Sequence, residues 1–217
     1  KLGMNSINSI DAFDNSNIMG VDAVSVKVNF TNGKKNPYKY RKFKVKETQG
    51  INDVGTMKEV LYRNYKNGKT NTELLIIDGG KSHLNAAIEI VHDKLKLYDV
   101  KIIGLVKNDK HKTASLIYGE KFTPIELDRK GQGFQLIQRV QEEVHRFAIT
   151  FHRQVRSKNT FSSKLELIDG VGPKTRKKLL SHFKTTTAIK NASVEELRKI
   201  GISEKVASNI ITTFQNE

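Results

Sequence analysis

The sequence contains no cysteine, and its 23 Asp and Glu residues are few beside 38 Lys and Arg residues. The absence of cysteine excludes disulfide bonds, thiolate metal ligands and a cysteine nucleophile. No apolar run approaches the roughly 20 residues that a membrane-spanning helix needs. No signal peptide is visible either. We therefore expect a cytoplasmic protein with no membrane partner.

The shortage of acids leaves a net charge of +15 over 217 residues. An excess of this size favours a polyanionic partner, and nucleic acid is the first candidate. An anionic membrane surface is the alternative, which the lack of a spanning run and of a signal peptide disfavours. The length allows one large domain or two smaller ones. Because the sequence begins at Lys1 rather than Met, we expect the chain to be part of a longer protein.

The most informative stretch is Glu73–Lys81, with the sequence ELLIIDGGK. Its short apolar run predicts a strand buried on both faces, and the apolar spacing from Lys81 to Tyr98 predicts a helix after it. Asp78 then lies at the carboxyl end of the strand, where open α/β sheets place their chemistry. Two glycines follow Asp78 and leave room for a phosphate or a metal ion. The alternative is that Asp78 only caps the helix.

The rest of the first 155 residues alternates between strand and helix patterns, which predicts a mixed α/β fold. The turn Thr31–Lys34 contains Asn-Gly, which is typical of a type I′ hairpin. The other predicted elements are strands at Ser9–Asp14, Gly20–Phe30, Tyr38–Lys46 and Val100–Val106, a helix from about Asn52, a hairpin within Ala114–Leu127 and a helix over Phe134–Val155.

Asp14 and Asp78 each end a predicted strand, so they meet if these strands are parallel neighbours. Carboxylates gathered in a basic chain suit a hard divalent cation such as Mg²⁺ or Mn²⁺, which would activate water against a phosphodiester. Asp53 and His145 are further candidates, the histidine as a proton carrier. Each has a structural alternative: Asp53 as a helix N-cap and His145 as a core-edge imidazole. Asp11 is interpreted as a surface acid, and Glu142 and Glu143 as a solvated face.

The last part of the chain has only helical patterns, and we expect residues 1–156 and 163–217 to form two domains joined by a linker at 157–162. The turn Gly170–Pro173 lies between helices and recurs in weaker form at Ile200–Ser203. This is the pattern of a tandem helix-hairpin-helix, whose backbone amides bind phosphates without selecting bases. The alternative is a tight helical corner with a solvated basic face. The candidate DNA-binding residues are Gly170, Gly172, Lys174, Arg176 and Lys177 in the first hairpin, and Gly201, Ser203 and Lys205 in the second.

Several motifs together resemble one known family. They are FDNSN (Phe13–Asn17), LLIIDGGKSHLNAA (Leu74–Ala87), IGLVK (Ile103–Lys107), QEEVHRFAITFHRQVRSK (Gln141–Lys158) and IDGVGPKTRKKLLSHF (Ile168–Phe183). In this order they resemble the carboxyl-terminal half of UvrC, the incision subunit of bacterial nucleotide excision repair. The resemblance spans essentially the whole chain.

The resemblance implies an RNase H-like mixed-sheet endonuclease domain followed by an all-α tandem helix-hairpin-helix domain. It implies a metal-dependent cut on the 5′ side of a lesion in double-stranded DNA. The family's catalytic residues fall on Asp14, Asp78 and His145, with a further acid on Asp53. The resemblance also implies that UvrB binds a segment outside these residues. The domain that makes the 3′ cut is likewise expected to lie outside them. We expect the fragment to be monomeric.

Two other functions are compatible with the same residues. A non-catalytic DNA-binding module would use the α/β domain only as a platform. An RNase H-type enzyme would share the acidic site but cleave RNA–DNA hybrids. The paired hairpins favour duplex DNA over hybrids.

Overall fold

The computed structural model describes residues 6–18, 21–45, 52–68, 70–107 and 113–215. The chain divides into two compact units, Lys1–His152 and Arg153–Glu217. The first unit contains a mixed sheet with helices, and the second contains only helices among its described residues. The predicted order, an α/β domain before an all-α domain, is therefore confirmed.

In the described residues the sheet has eight strands, in the order β3-β2-β1-β5-β6-β7-β8, with β4 also paired to β2. The central strand β5 is buried along its whole length, as its unbroken apolar run predicts. The strands are β1 (Ser9–Ile18), β2 (Val21–Thr31), β3 (Lys34–Lys35), β4 (Arg41–Lys44), β5 (Leu74–Ile77), β6 (Lys101–Lys107), β7 (Thr113–Tyr118) and β8 (Thr123–Ile125).

The strand β1 pairs in parallel with β5, and Phe13 lies opposite Ile77 in the register. Asp14 directly follows Phe13, and Asp78 directly follows Ile77, so the two acids lie side by side. The predicted meeting of these acids is confirmed. The strand β1 continues past Asp14 to Ile18, because its antiparallel pairing with β2 extends further than its pairing with β5. Asp14 therefore lies within a strand rather than at its end.

The hairpin between β2 and β3 has the predicted turn, with positive φ angles at Asn32 and Gly33. The predicted strand Tyr38–Lys46 is only partly correct. Pro37 begins a 3₁₀ turn through Lys39, and the strand β4 starts only at Arg41. Proline cannot donate a ladder hydrogen bond, which is consistent with a turn at this point. The predicted strand ends at Gly20 and Lys46 lie outside the described residues.

Two helices pack on one face of this sheet. The helix α1 (Asp53–Tyr65) begins after Asn52, whose side chain accepts a hydrogen bond from the Gly55 amide. The helix α2 (Lys81–Ile88) continues as a π-helical turn over Glu89–Lys94. The two together end before Tyr98, so the helix is shorter than predicted. It ends where Lys96 adopts a positive φ of 59°. The core between these helices and the sheet is apolar and includes Phe13, Met57, Leu61, Leu75, Ile77 and Leu84.

The helix α3 (Gln132–Glu166) is longer than predicted at both ends. It runs through residues 157–162, where we expected a linker. The polar residues of this stretch lack the apolar spacing of a helix, but none of them is Gly or Pro, so the backbone continues as a helix. The polar composition of residues 157–162 therefore does not mark the end of the helix.

The second unit contains four further short helices packed on a small apolar core, with Leu165, Leu179, Leu197 and Ile210 fully buried. The five-residue helix α5 was not predicted, since it is too short to show a periodicity. The helices are α4 (Pro173–Phe183), α5 (Thr186–Lys190), α6 (Val194–Lys199) and α7 (Glu204–Gln215). Among the described residues, no helix has the length and apolar character needed to cross a membrane.

Candidate functional site

The strands β1 and β5 present two buried carboxylates side by side. Asp14 is 7% exposed and Asp78 is 9% exposed. The helix α2 begins after Gly80, which makes no side-chain cap, so Asp78 does not occupy the N-cap position. The structure therefore does not support the capping alternative for Asp78.

The two glycines after Asp78 differ in what surrounds them. A Cβ atom at Gly79 would lie 2.7 Å from the Cγ atom of His83, whereas one at Gly80 would meet nothing within 4 Å. The glycine at 79 is thus required by the close approach of His83. Only Gly80 leaves the open space that the sequence led us to expect beside Asp78.

The helix α3 brings His145 to these acids. Its Nδ1 atom lies 3.5 Å from the Oδ2 atom of Asp14, and 58% of the histidine side chain is exposed. One possible ligand atom from each of Asp14, Asp78 and His145 lies within 4.8 Å of the other two. The imidazole is therefore open to solvent and not at the edge of the core.

This donor set fits a hard divalent cation. Two ligands at the Mg²⁺–oxygen distance from one ion lie about 3 to 4.2 Å apart, so small side-chain rotations suffice to close the group. The carboxylate oxygens of Asp14 and Asp78 are ligands of the kind that Mg²⁺ and Mn²⁺ prefer. The chemistry of the residues therefore agrees with a divalent cation at this place.

Asp53 lies near this group without joining it. It is the first residue of α1 and is exposed, and its carbonyl oxygen accepts a hydrogen bond of 3.0 Å from the Asn15 side chain. Among the described residues, the group of possible metal ligands does not include Asp53. The N-cap of α1 is Asn52, so the alternative of Asp53 as the N-cap is wrong. Its catalytic role stays a prediction.

Glu143 was expected on a solvated face and is instead buried, with 3% of its side chain exposed. Its carboxylate accepts hydrogen bonds from Arg146 at 2.6 and 3.0 Å, Lys35 at 2.6 Å and the Tyr40 hydroxyl at 3.1 Å. These donors, with Arg146 foremost, lower the pKa of Glu143 to about 2. Burial, with Glu143 nearby, raises the pKa of Tyr40.

These contacts fix α3 against the segment that contains β3 and β4. Glu143 makes them two residues before His145. The ring of Phe147 also packs edge-on against Tyr40, with ring centroids 5.1 Å apart. Sequence reasoning missed Glu143 because two of its three partners lie more than 100 residues away. Its neighbour Glu142 is exposed, as predicted.

Asp11 was interpreted as a surface acid and is also buried, with 2% exposure. Its Oδ2 atom accepts hydrogen bonds from Tyr65 at 2.8 Å, Thr72 at 2.9 Å and Lys27 at 3.2 Å. Its Oδ1 atom accepts a bond of 2.7 Å from Asn29. Burial and the adjacent Asp11 carboxylate raise the pKa of Tyr65. These bonds join β1, β2, α1 and Thr72, two residues before β5, and so hold the strand that bears Asp14.

In the second unit, Gly170 and Gly172 have different surroundings. Gly170 has a φ of +86°, and a Cβ atom there would clash with the Val206 side chain. Gly172 precedes α4, and a Cβ atom there would meet nothing within 4 Å. Gly170 therefore allows the hairpin to pack on α7, whereas the backbone at Gly172 is open to a ligand.

Residues of both hairpins line one groove of about 470 Å³, which includes Lys174, Lys177, Lys178 and Gly201. Ser203 and Lys205 are exposed at the start of α7. Arg176 differs from the other predicted cations because its guanidinium group forms an ion pair with Glu166. The groove is basic and open, and it suits an anion such as a phosphate.

Comparison with known proteins agrees with these two units. Residues 1–149 match the family described as the UvrC RNAse H endonuclease domain, and residues 162–216 match the SAM-like helix-hairpin-helix tandem. This chain belongs to the UvrC family. The RNase H-like fold and the tandem helix-hairpin-helix expected from the sequence are thus confirmed.

The curated relatives are longer than this chain. It is 48% identical over 212 residues to the UvrABC system protein C of Streptococcus thermophilus strain CNRZ 1066, covering 96% of this chain and 36% of that protein. It is 49% identical over 209 residues to that of Streptococcus uberis, covering 94% of this chain and 35% of that protein. The chain therefore spans about a third of the length of these relatives.

Among solved structures, endonuclease V of Ciona intestinalis in complex with a 24-mer DNA is similar at 17% identity, covering 56% of this chain and 65% of that one. The TM-score is 0.31. This similarity is too low to establish a common fold.

Proposed function

We propose that this chain is the metal-dependent DNA endonuclease part of a nucleotide excision repair incision subunit, which cuts the damaged strand on the 5′ side of a lesion in the bacterial cytoplasm. The observation that carries this proposal is the convergence of Asp14, Asp78 and His145 within 4.8 Å of one another. They come from two strands and a helix that are distant in the sequence. The family assignment supports the choice of a phosphodiester as the substrate.

In this proposal Asp14 and Asp78 bind one Mg²⁺ or Mn²⁺ ion. When bound, the cation lowers the pKa of a water molecule and offsets the charge that builds up on the phosphodiester. Since the third member of the group is an imidazole, fewer hard oxygen ligands remain for a second ion. We therefore infer a single cation.

His145 has the proton-transfer role. Its exposed ring can accept a proton from the attacking water or donate one to the leaving oxygen as the P–O bond breaks. The contacts of Glu143 fix the helix that bears it. Asp53, on the neighbouring end of α1, assists from outside the group, for example by orienting a water molecule.

The helix-hairpin-helix unit holds duplex DNA through its backbone. In the first hairpin, the backbone amides at Gly172 and at the amino end of α4 donate hydrogen bonds to a phosphate, and Lys174 and Lys177 lie beside it. Gly201, Ser203 and Lys205 act in the same way in the second hairpin. Gly170 shapes the first turn, and Arg176 contributes once it exchanges Glu166 for a phosphate.

We also infer that residues 1–156 and 163–217 act as separate domains, with residues 157–162 joining them as part of α3. UvrB would bind a segment of the longer protein outside these residues, and the fragment would be monomeric.

The decisive test uses the full-length protein, assembled with UvrB on a lesion-bearing duplex. Asp14→Asn should abolish the 5′ incision and leave the 3′ incision, which serves as the internal control. Full 5′ incision by this variant would overturn the proposal. Cleavage of RNA–DNA hybrids in preference to the damaged duplex would favour an RNase H-type enzyme instead.

A further inference from the structure

The segment Lys34–Lys44 has an unusual surface, and we call it the basic segment. Its eleven residues contain six cations and no acid: Lys34, Lys35, Lys39, Arg41, Lys42 and Lys44. All six are exposed. Surfaces of this charge attract phosphates.

Tyr38, in the middle of the basic segment, is 93% exposed. It is the most exposed of the large hydrophobic residues in the part of the chain that the structure describes. A ring of this size is normally at least partly covered, because burying it removes a large apolar surface from water. An almost bare ring among cations is the surface composition that single-stranded nucleic acid binds.

The backbone that bears Tyr38 is held firmly. The Arg41 guanidinium group donates to the carbonyl oxygens of Tyr38 at 3.1 Å and Tyr40 at 2.8 Å. The 3₁₀ turn is closed by the Tyr40 amide bonding to the Pro37 carbonyl at 3.1 Å, and the Asn36 amide bonds to Asn29 in β2 at 2.9 Å. The backbone of the turn is therefore already ordered, so ordering of the backbone does not oppose a ligand that stacks on the ring.

The basic segment is also connected to the helix that carries His145. Lys35 and Tyr40 both donate to Glu143, at 2.6 and 3.1 Å. The Lys42 ammonium group lies 5.3 Å from the ring centroid of Phe147 in the same helix. A nucleic-acid strand bound along the basic segment would therefore lie on a surface of the nuclease unit that is joined to the helix bearing His145.

We propose that the basic segment is a binding site for unpaired DNA, in which Tyr38 stacks on the face of one base while the surrounding cations bind the neighbouring phosphates. In duplex DNA the base faces are covered by their neighbours, so only an unpaired base or a strand end offers a face to Tyr38. This inference rests on the proposed function only for its choice of DNA as the nucleic acid. It adds a contact in the nuclease unit that does not involve the hairpins.

The chain has no tryptophan, so Tyr38→Trp creates a single fluorescent reporter at this position. Titration with a short single-stranded oligonucleotide should quench this tryptophan, because the indole ring stacks on a base. A blunt duplex of the same length should quench it several-fold less, because only its two terminal base pairs have an uncovered face. The matched control is Tyr98→Trp, at another exposed tyrosine of the same unit, 58% exposed, which should not be quenched.

Affinity measurements on the same oligonucleotide separate stacking from charge. Tyr38→Ala should weaken binding by about 5- to 100-fold, whereas Tyr38→Phe should retain wild-type binding, since the ring and not the hydroxyl group makes the contact. Lys39→Ala should reduce the dependence of the binding constant on salt. None of these changes should alter folding, since both side chains are exposed.

Absence of quenching at residue 38, or unchanged affinity in Tyr38→Ala, would overturn the proposal. An acidic protein as the true partner of this surface would give that same result. Neither result would affect the endonuclease assignment, which Asp14→Asn tests by loss of incision. Conversely, quenching at residue 38 together with full incision by Asp14→Asn would leave the binding site in place and remove the proposed catalytic function.

Discussion

The Nδ1 atom of His145 lies 3.5 Å from the Oδ2 atom of Asp14, although the two residues belong to a helix and a strand at opposite ends of the first unit's sequence. Asp14 is buried by the sheet, and the histidine is mostly exposed. The pair therefore offers one side chain fixed in place for a cation and another that can exchange protons with solvent.

Loss of the imidazole should remove the proton transfer and spare DNA binding. We expect His145→Ala to lower the rate of the 5′ incision by about 10²- to 10⁴-fold, the range typical of general acid–base catalysis. The binding constant for DNA should stay unchanged, because the side chain is exposed and the hairpins belong to the other unit. The control is His182→Ala, at an exposed histidine of α4. An unchanged incision rate in His145→Ala would contradict the assigned role.

Glu143 should be important for stability, unlike its neighbour. Glu143→Gln weakens the charge-assisted hydrogen bonds from Arg146 and Lys35, and we expect the free energy of unfolding to fall by about 2 to 3 kcal/mol. Glu142→Gln, at the adjacent exposed position, should change it by less than about 0.5 kcal/mol. Urea denaturation of both variants measures the difference. Equal stabilities would show that the buried carboxylate contributes nothing.

The same carboxylate predicts a dependence of stability on pH. Its pKa is about 2 in the folded chain and 4.5 for an ordinary glutamate. A lowered pKa stabilises the fold above pH 4.5, and this contribution is lost as the pH falls from 4.5 toward 2. Wild-type stability should therefore decrease more steeply than that of Glu143→Gln across this window. Parallel curves in acid denaturation followed by circular dichroism would contradict the contacts described.

The two glycines of the first hairpin should respond differently to alanine. Gly170→Ala introduces a clash with Val206 at a positive φ, so the second unit should be destabilised by more than about 1 kcal/mol. Gly172→Ala has free space for its methyl group and should fold normally. If the Gly172 backbone contacts a phosphate, the methyl group should weaken duplex binding by about tenfold or more. Thermal denaturation and fluorescence anisotropy separate the two effects, and normal duplex binding by Gly172→Ala would remove this glycine from the DNA contact.

Local patterns were sufficient to predict some features of this molecule. A tight hairpin requires two positive φ angles, which Asn32 and Gly33 adopt readily. The unbroken apolar run of β5 predicts burial on both faces. Both are properties of a few adjacent residues. The meeting of Asp14 and Asp78 follows in turn, because the parallel strands β1 and β5 carry them to adjacent positions.

Two of the features that were predicted wrongly depend on distant residues, and a third has a local cause. Asp11 and Glu143 look like surface acids in the sequence, and they are buried because donors from other elements satisfy their carboxylates. Tyr38 has the spacing of a strand residue, but Pro37 turns the chain and leaves the ring exposed. Asp53 is not among these errors, because the sequence predicts it to assist and not to bind the metal, and that role stays a prediction. Burial of a charge cannot be inferred without its distant partners, whereas the proline beside Tyr38 is visible in the sequence.

The most direct test of the central claim is the melting temperature of the nuclease unit with and without Mn²⁺. An ion at 100 times its dissociation constant stabilises the folded state by about 2.7 kcal/mol, which corresponds to a rise of several degrees. We predict this rise for the wild type and its loss in Asp14→Asn and Asp78→Asn, with DNA absent throughout. An equal rise in all three proteins would contradict a cation site formed by these two carboxylates.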